Sequence, residues 1–265
     1  MVSVVIPTFN SEKTIGVCLQ SIKTQTYPNV EVIVVDRHSS DDTAKIAEES
    51  NARVLLMNVE RSSAKNHGVK NAEGSFILFL DSDMELTSKV IDECVTVCLR
   101  KDVDAVDIPQ VSVAKGFFAE CRKIEKELYI GDPNSFKMAS FFKKVVFDSV
   151  GGFDENLVIG EDFDLSRRIE KEGYRIGRCK AEIKHHEGEL SMKKIMLKAC
   201  YYGKTLPSYI RKSPSMAMRE YCPTRYLSNF KLLLKHPTHL VGLIAIKLVE
   251  YTAYSAGVFT SLLSV

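Results

Sequence analysis

Along the first hundred positions the apolar residues switch between two periods. Val2-Ser3-Val4-Val5-Ile6, Val30–Val35, Arg53–Met57 and Phe76-Ile77-Leu78-Phe79-Leu80 are short apolar runs bounded by polar or turn-forming residues. Such runs predict strands. The unbroken run Phe76–Leu80 predicts one buried on both faces, as in a parallel sheet covered by helices. Between the runs the spacing turns helical: Ile15, Cys18, Leu19 and Ile22 within Ser11–Thr26, then Ile46 and Ala47 behind Asp41/Asp42. A third helix runs from Ser62 or Ser63 to near Gly74, and a fourth, Lys89–Arg100, follows Thr87 or Ser88. Asp, Ser and Thr suit helix starts because their side-chain oxygens accept from the free N–H groups there. Ala105–Pro109 predicts a fifth strand. Alternation at this pitch implies an α/β fold with a doubly wound, mostly parallel sheet flanked by helices.

The pattern then loosens. Gly151-Gly152-Phe153-Asp154 and Gly160 mark turns, and Glu161–Glu172 predicts a short helix with Leu165 and Ile169 on one face and Gly173 as its stop. The tail Leu240–Val265 holds 26 residues of which only Lys247 and Glu250 are charged. Roughly 20 apolar residues suffice to cross a bilayer, and two charges three apart can pair on one helix face. The tail therefore predicts a membrane-associated helix, spanning or lying in the interface; docking on the N-terminal α/β domain or on a second subunit is the alternative. Three segments follow: residues 1–190, a basic helical linker 191–239, and the apolar helix 240–265.

Composition changes this picture in two places. The 265 residues carry a net charge of +2, but the stretch Lys193–His236 alone carries +9 and leaves −7 on the remainder. A basic module rich in tyrosine (Tyr201, Tyr202, Tyr209, Tyr221, Tyr226) beside an apolar tail suits an anionic membrane leaflet. No nucleic-acid-binding module accompanies the charge, so nucleic acid is not an expected partner. The seven cysteines are odd in number and show no C-x-x-C spacing. They read as reduced thiols, and with Met1 leading straight into a strand they place the chain on the cytoplasmic face of the cell membrane.

Asp81-Ser82-Asp83 follows directly on the fourth strand. Ligands of open α/β sheets bind at the carboxyl ends of the strands. Two carboxylates held there can grip a divalent cation, and the cation a diphosphate. D-x-D also occurs at Asp102/Asp104 and Asp162/Asp164, but neither follows a core strand. The turn Pro7-Thr8-Phe9-Asn10-Ser11 lacks G-x-G-x-x-G, and G-x-x-x-x-G-K-[ST] is absent from the chain. Dinucleotide-binding Rossmann and P-loop chemistry are thereby disfavoured.

Together these residues resemble the inverting nucleotide-sugar glycosyltransferases of family 2, with the GT-A fold, over roughly Met1–Glu187. Val2–Asn10 is similar to the family's opening strand, and Val34-Val35-Asp36-Arg37-His38-Ser39-Ser40-Asp41-Asp42-Thr43 to its V-D-D-G-S-x-D motif. Arg61-Ser62-Ser63-Ala64-Lys65-Asn66-His67-Gly68 is similar to R-x-x-x-R-N-x-G, and Asp81-Ser82-Asp83 to the D-x-D. Gly151-Gly152-Phe153-Asp154-Glu155 and Gly160-Glu161-Asp162-Phe163-Asp164-Leu165 resemble the acceptor-side motifs. The resemblance implies a metal-assisted sugar transfer to a lipid-linked or cell-surface glycan acceptor, with Mg²⁺ or Mn²⁺ as cofactor. It implies that Pro7, Thr8 and Glu12 line the base and ribose, with Asp36, Arg37, Lys65, Asp81 and Ser82 also on the donor. Asp83 would bind the metal, with Asp81 and His185 as further candidate ligands, and Asp162, with Glu161 beside it, would take the acceptor's proton. For Glu161/Asp162 a helix-start role is the alternative, and for His185/His186 a surface pair at a strand end. Arg37 stands where the family has an Asp that reads uracil, and a guanidinium cannot accept from a base. A GDP- or other nucleotide sugar is thereby left open beside UDP. A sugar-phosphate nucleotidyltransferase and a non-catalytic nucleotide-sugar-binding module are the competing functions, and a second copy of the chain is a further candidate partner.

Overall fold

The computed structural model describes residues 1–100, 102–113, 115–130, 138–188, 190–212, 214 and 233–263. Of the basic stretch, Arg219, Arg225, Lys231, Tyr221 and Tyr226 lie outside the described residues, as does Cys222. The chain forms two compact units, the first built mainly from the N-terminal half and the second from helices.

In chain order the first unit runs β1 (Val2–Thr8), α1 (Ile15–Lys23), β2 (Val30–Asp36), α2 (Thr43–Glu49), β3 (Arg53–Leu56), α3 (Arg61–Lys70) and β4 (Phe76–Phe79). It continues through β5 (Met84–Leu86), α4 (Val90–Arg100), β6 (Ala105–Asp107) and β7 (Gln110–Ser112). After α5 (Phe117–Ile130) of the second unit come β8 (Ala139–Lys143), α6 (Lys144–Ser149), α7 (Glu161–Lys171), β9 (Ile176–Arg178) and β10 (Ile183–His185). Seven strands form the main sheet in the order β3-β2-β1-β4-β8-β6-β9, and a short second sheet has the order β5-β10-β7.

The apolar runs are continuous because both faces of the main sheet are covered. Val2, Val4, Ile6, Val34, Leu78 and Leu80 point to one side with α1 and α4, while Val5, Ile33, Val35, Ile77 and Phe79 point to the other with residues of α3, α6 and α7. Helix α3 lies so close to β1 that a Cβ on Gly68 would come within 2.3 Å of Val5 Cγ1. Only a residue without a side chain permits that approach, and it sets the depth at which α3 presents its other face.

The sheet is mostly parallel, with one departure from strict alternation. β8 runs antiparallel to both β4 and β6, which the β–α pattern of the first hundred residues does not reveal. Phe141 and Phe142 lie on opposite faces of β8 and are both fully buried, so its five residues carry no alternation to read. The fifth expected strand is shorter than Ala105–Pro109, ending at Asp107.

The second unit contains α5, α8 (Met192–Gly203), α9 (Leu206–Lys212) and α10 (Pro237–Leu263). Cys121, Ile124, Ile195, Leu233, Leu243 and Ile246 form its core. Gly203 and Gly257 let α8 and α10 touch backbone to backbone, because a Cβ on Gly257 would meet the Cys200 carbonyl at 2.2 Å. The tail is thus an integrated member of a helical unit. That unit also takes α5, from inside the stretch the sequence grouped with residues 1–190.

Candidate donor and acceptor site

The carboxyl ends of β1 and β2 are stitched together by their own side chains. Thr8 Oγ1 donates to Asp36 Oδ1 at 2.7 Å, and Ser39 gives its hydroxyl to Oδ1 and its amide to Oδ2 of the same carboxylate. Asp36 is fully buried, so its role here is to hold the Arg37–Ser40 turn. In that turn His38 adopts φ 52°, a left-handed conformation, where the resembling motif carries glycine. Glu12 joins the same seam, its amide donating to Asp41 and its carboxylate accepting from the Asp42 amide. Pro7 lies in β1 opposite Val35. Arg37 projects outward, pairs with Glu60 at 3.1 Å and stands over the exposed ring of Phe9. Ser82 donates to Ser11 Oγ at 2.9 Å, tying the D-x-D turn to the β1 end.

The short sheet sets the far side of the D-x-D. Pairing of β10 with β5 puts His185 opposite Met84, and the imidazole Nε2 comes 3.2 Å from Asp83 Oδ2. His186 reaches Glu85 instead, at 2.8 Å. Lys184, first, and then His186 hold the Glu85 carboxyl below its ordinary range by hydrogen bonding. Asp83 and His185 thus lie side by side, an oxygen and an imidazole of the donor types that suit a divalent cation such as Mn²⁺. Among the described residues no third His, Cys, Asp or Glu joins them. A cation bound there fits if diphosphate oxygens and water complete its shell, the usual arrangement for metals held by one or two protein carboxylates.

Helix α3 brings the two acidic motifs together. Arg61 and Lys65 lie one turn apart on it. Arg61 pairs with Glu161, and its other nitrogen lies 3.8 Å from Asp81 Oδ2. Lys65 Nζ lies 3.2 Å from Asp162 Oδ1 and 4.7 Å from the centre of the Phe153 ring. The D-x-D and the Glu161-Asp162 pair, some eighty residues apart in sequence, are thereby spanned by two cations of one helix.

The two acids at the start of α7 differ. The Glu161 side chain is 3% exposed and that of Asp162 is 39% exposed. Burial and then the adjacent Asp162 push the Glu161 carboxyl up to about 6, against the pull of Arg61 and Lys65. Burial works against the charge on Lys65, but Asp162, Asp81 and Glu161 outweigh it and raise its pKa. Asp162 alone of the pair is open to an incoming group.

The remaining contacts lock this arrangement. The Asn66 amide donates to Phe153 O and to Glu155 Oε1, both at 2.9 Å, and its oxygen accepts from the Phe153 amide. Gly152, at φ 68°, is held against that oxygen: a Cβ there would sit 2.7 Å from Asn66 Oδ1. Arg61, Asn66 and Glu155 belong to the motifs quoted above, yet pattern matching alone assigned them no role. Their signal is the spacing on α3, which puts positions 61 and 65 on one face and 66 beside it. The second acids of the other D-x-D pairs are tied into the fold: Asp104 binds Lys143 at 3.0 Å, and Asp164 binds Arg168 at 2.9 Å within α7.

The family model for glycosyl transferase family 2 matches residues 3–153. This chain belongs to that family. Among similar proteins, a dolichyl N-acetyl-alpha-D-glucosaminyl phosphate 3-beta-D-2,3-diacetamido-2,3-dideoxy-beta-D-glucuronosyltransferase from Methanococcus voltae is 24% identical over 80% of this chain and 74% of its own length. Across the first curated relatives the chain spans 31% to 74% of their lengths. The fold is that of GT-A glycosyltransferases. Mannosyltransferase PcManGT from Pyrobaculum calidifontis, solved with GDP-Man and Mn²⁺, superposes with a TM-score of 0.67 at 18% identity, covering 98% of this chain and 86% of that one. S. aureus TarS 1–349 with UDP-GlcNAc gives 0.60 at 18% identity, covering 99% and 92%.

Proposed function

We propose that this family 2 chain transfers a sugar, with inversion, from a nucleotide-sugar donor to a hydroxyl or phosphate of a lipid-linked or cell-surface glycan acceptor at the cytoplasmic face of a membrane. The observation that carries the reading is the α3 bridge, which joins the D-x-D to an open carboxylate through Arg61 and Lys65. The dolichyl-linked substrate named for the Methanococcus voltae relative supports the lipid-linked acceptor.

In this reading Pro7, Thr8, Glu12 and Asp36 shape the ends of β1 and β2 that receive the nucleotide, and Ser82 fixes the D-x-D turn to them. Asp83 and His185 would hold Mn²⁺ or Mg²⁺, with Asp81 alongside, and a cation there would supply positive charge against the diphosphate leaving group. Asp162 accepts the proton of the acceptor hydroxyl. The freed oxygen pair attacks the anomeric carbon, and the bond from that carbon to the diphosphate oxygen breaks with its electrons on the nucleoside diphosphate. Lys65 orients Asp162, and Glu161, buried under Arg61, positions that guanidinium towards Asp81. Arg37 offers donors only, so it favours bases that present acceptor atoms, and the GDP-Man bound by PcManGT keeps a guanine donor in play.

A panel of UDP-, GDP- and other nucleotide sugars incubated with the full chain and Mn²⁺ tests the reading. Release of a nucleoside diphosphate from one donor is expected. Release of pyrophosphate on mixing a nucleoside triphosphate with a sugar phosphate would point to nucleotidyl transfer, and binding without any release to a non-catalytic module.

A further inference from the structure

We infer that α10 does not cross the bilayer but lies along its surface, with Val241, Ile244, Leu248 and Phe259 set into an anionic lipid leaflet. The inference deepens the membrane association proposed above and is independent of the donor chemistry. By length and composition Pro237–Thr260 is apolar enough to cross a membrane. What it does with its two charges decides otherwise.

Lys247 and Glu250 point into the helical unit and close a ring with two residues of α5. Lys247 Nζ lies 2.9 Å from Glu250 and 2.5 Å from Glu125; Arg122 lies 2.5 Å from Glu125 and also pairs with Glu250. Each cation touches both acids and each acid both cations. Glu125 and Glu250 are buried. Residues 247–250 fall near the middle of the 27-residue helix. A spanning α10 would either carry this quartet, with part of α5, to the centre of the hydrocarbon or break it and strand buried charges. Both are strongly unfavourable.

The rotation of α10 about its axis is fixed by this packing. Gly242, Ile246, Glu250, Ala253 and Gly257 face the protein: Ile246 and Ala253 are buried, and a Cβ on Gly242 would strike Cys121 Sγ and Phe117. On the opposite side Val241, Ile244, Leu248 and Phe259 are 67%, 53%, 63% and 63% exposed. At 3.6 residues per turn these four fall within about 60° of arc. The helix is therefore amphipathic in an unusual sense, with its charges inward and, outward, a largely apolar stripe in which Thr252 and Ser255 return their hydroxyls to the Leu248 and Tyr251 carbonyls of the same helix. A stripe of that kind lying in the headgroup–acyl boundary is the pattern of an interfacial helix.

Charge names the lipid. Helix α8, packed against α10 through Gly203 and Gly257, exposes Met196 and Leu197 among the lysines Lys193, Lys198 and Lys204. The stretch Lys193–His236 carries +9. Exposed lysines mixed with exposed apolar residues on the helix that packs against α10 are complementary to anionic headgroups over a wet boundary.

Flotation of the full chain on density gradients, with phosphatidylcholine vesicles containing or lacking phosphatidylglycerol, tests this. The wild type is expected to float with the anionic vesicles, to float less at high salt, and to be extracted from membranes by alkaline carbonate. Ile244→Asp/Leu248→Asp is expected to sediment at least tenfold more protein while keeping its far-ultraviolet dichroism and its release of nucleoside diphosphate from the donor. Lys193→Glu/Lys198→Glu is expected to lose the preference for anionic vesicles. Three results would overturn the inference: unchanged flotation of the Ile244→Asp/Leu248→Asp chain, resistance of the wild type to carbonate extraction, or a wild-type dimer that does not float and that the same double substitution dissociates. Loss of donor turnover in the wild type would count against the glycosyl-transfer reading and leave this one standing.

Discussion

Lys65 Nζ lies 3.2 Å from Asp162 Oδ1, and the same ammonium sits over the ring of Phe153 in the turn that follows α6. A buried cation on α3 is thus the fixed point against which the exposed carboxylate of α7 is oriented. If Asp162 accepts the acceptor's proton as proposed, this contact couples Lys65 to it, and their substitutions should not add. Lys65→Met is expected to lower turnover roughly 10–100-fold with a small change in donor KM. Adding it to Asp162→Asn should cost little more, as in other groups that act together. A double-mutant cycle on kcat checks this; full additivity would separate the two residues.

Asn66 joins α3 to the turn that follows α6 through three hydrogen bonds, two of them to the backbone of Phe153. Asn66→Ala leaves both Phe153 backbone groups short of a partner. A loss of about 1–3 kcal/mol in urea-denaturation stability is expected, the scale of unmet buried polar groups. A change below a few tenths would mean that water replaces the amide.

How much of this was open to sequence reading depended on whether one residue could carry its own signal. The strands at Val2–Ile6 and Phe76–Leu80 could, because burial on both faces leaves no polar interruption. The position of Asp81 and Asp83 after β4 followed directly. β8 could not, since Ala139–Lys143 is a short mixed run whose partners β4 and β6 are distant in sequence. Nor could the division of labour between Glu161 and Asp162: both are acids at a helix start, and only Arg61, a hundred residues earlier, separates the buried one from the open one. Likewise the charges of α10 announced a pair but not the two partners on α5.

Glu161 should make stability fall with rising pH. Its folded-state carboxyl is raised from 4.5 to about 6, so the folded state holds its proton more tightly than the unfolded chain. That contribution is complete below about 4.5 and is lost as the pH rises through about 6. Glu161→Gln removes it, worth on the order of 1–2 kcal/mol at 1.36 kcal/mol per unit. The difference in unfolding free energy between the two proteins, followed from pH 4 to 7, is expected to shift in favour of Glu161→Gln across that window. A difference that stays flat would mean that Arg61 fully offsets the burial.

His185 faces Asp83 at 3.2 Å, while His186 is turned to Glu85. His185→Ala is therefore expected to raise the Mn²⁺ concentration needed for half-maximal nucleoside diphosphate release by roughly tenfold or more, as loss of groups around a bound metal commonly does. His186→Ala should change it little. Manganese titrations of the two variants decide between the histidines, and equal effects would remove the distinction.

The most direct test of the central claim compares the two acids of α7 by single-turnover transfer with saturating donor and metal. If Asp162 takes the acceptor's proton, Asp162→Asn loses about 10²–10⁴-fold in rate, the range of general-base catalysis. Glu161→Gln, which leaves the open carboxylate in place, then stays within about tenfold of wild type. Asp162→Asn turning over at the wild-type rate would contradict the account.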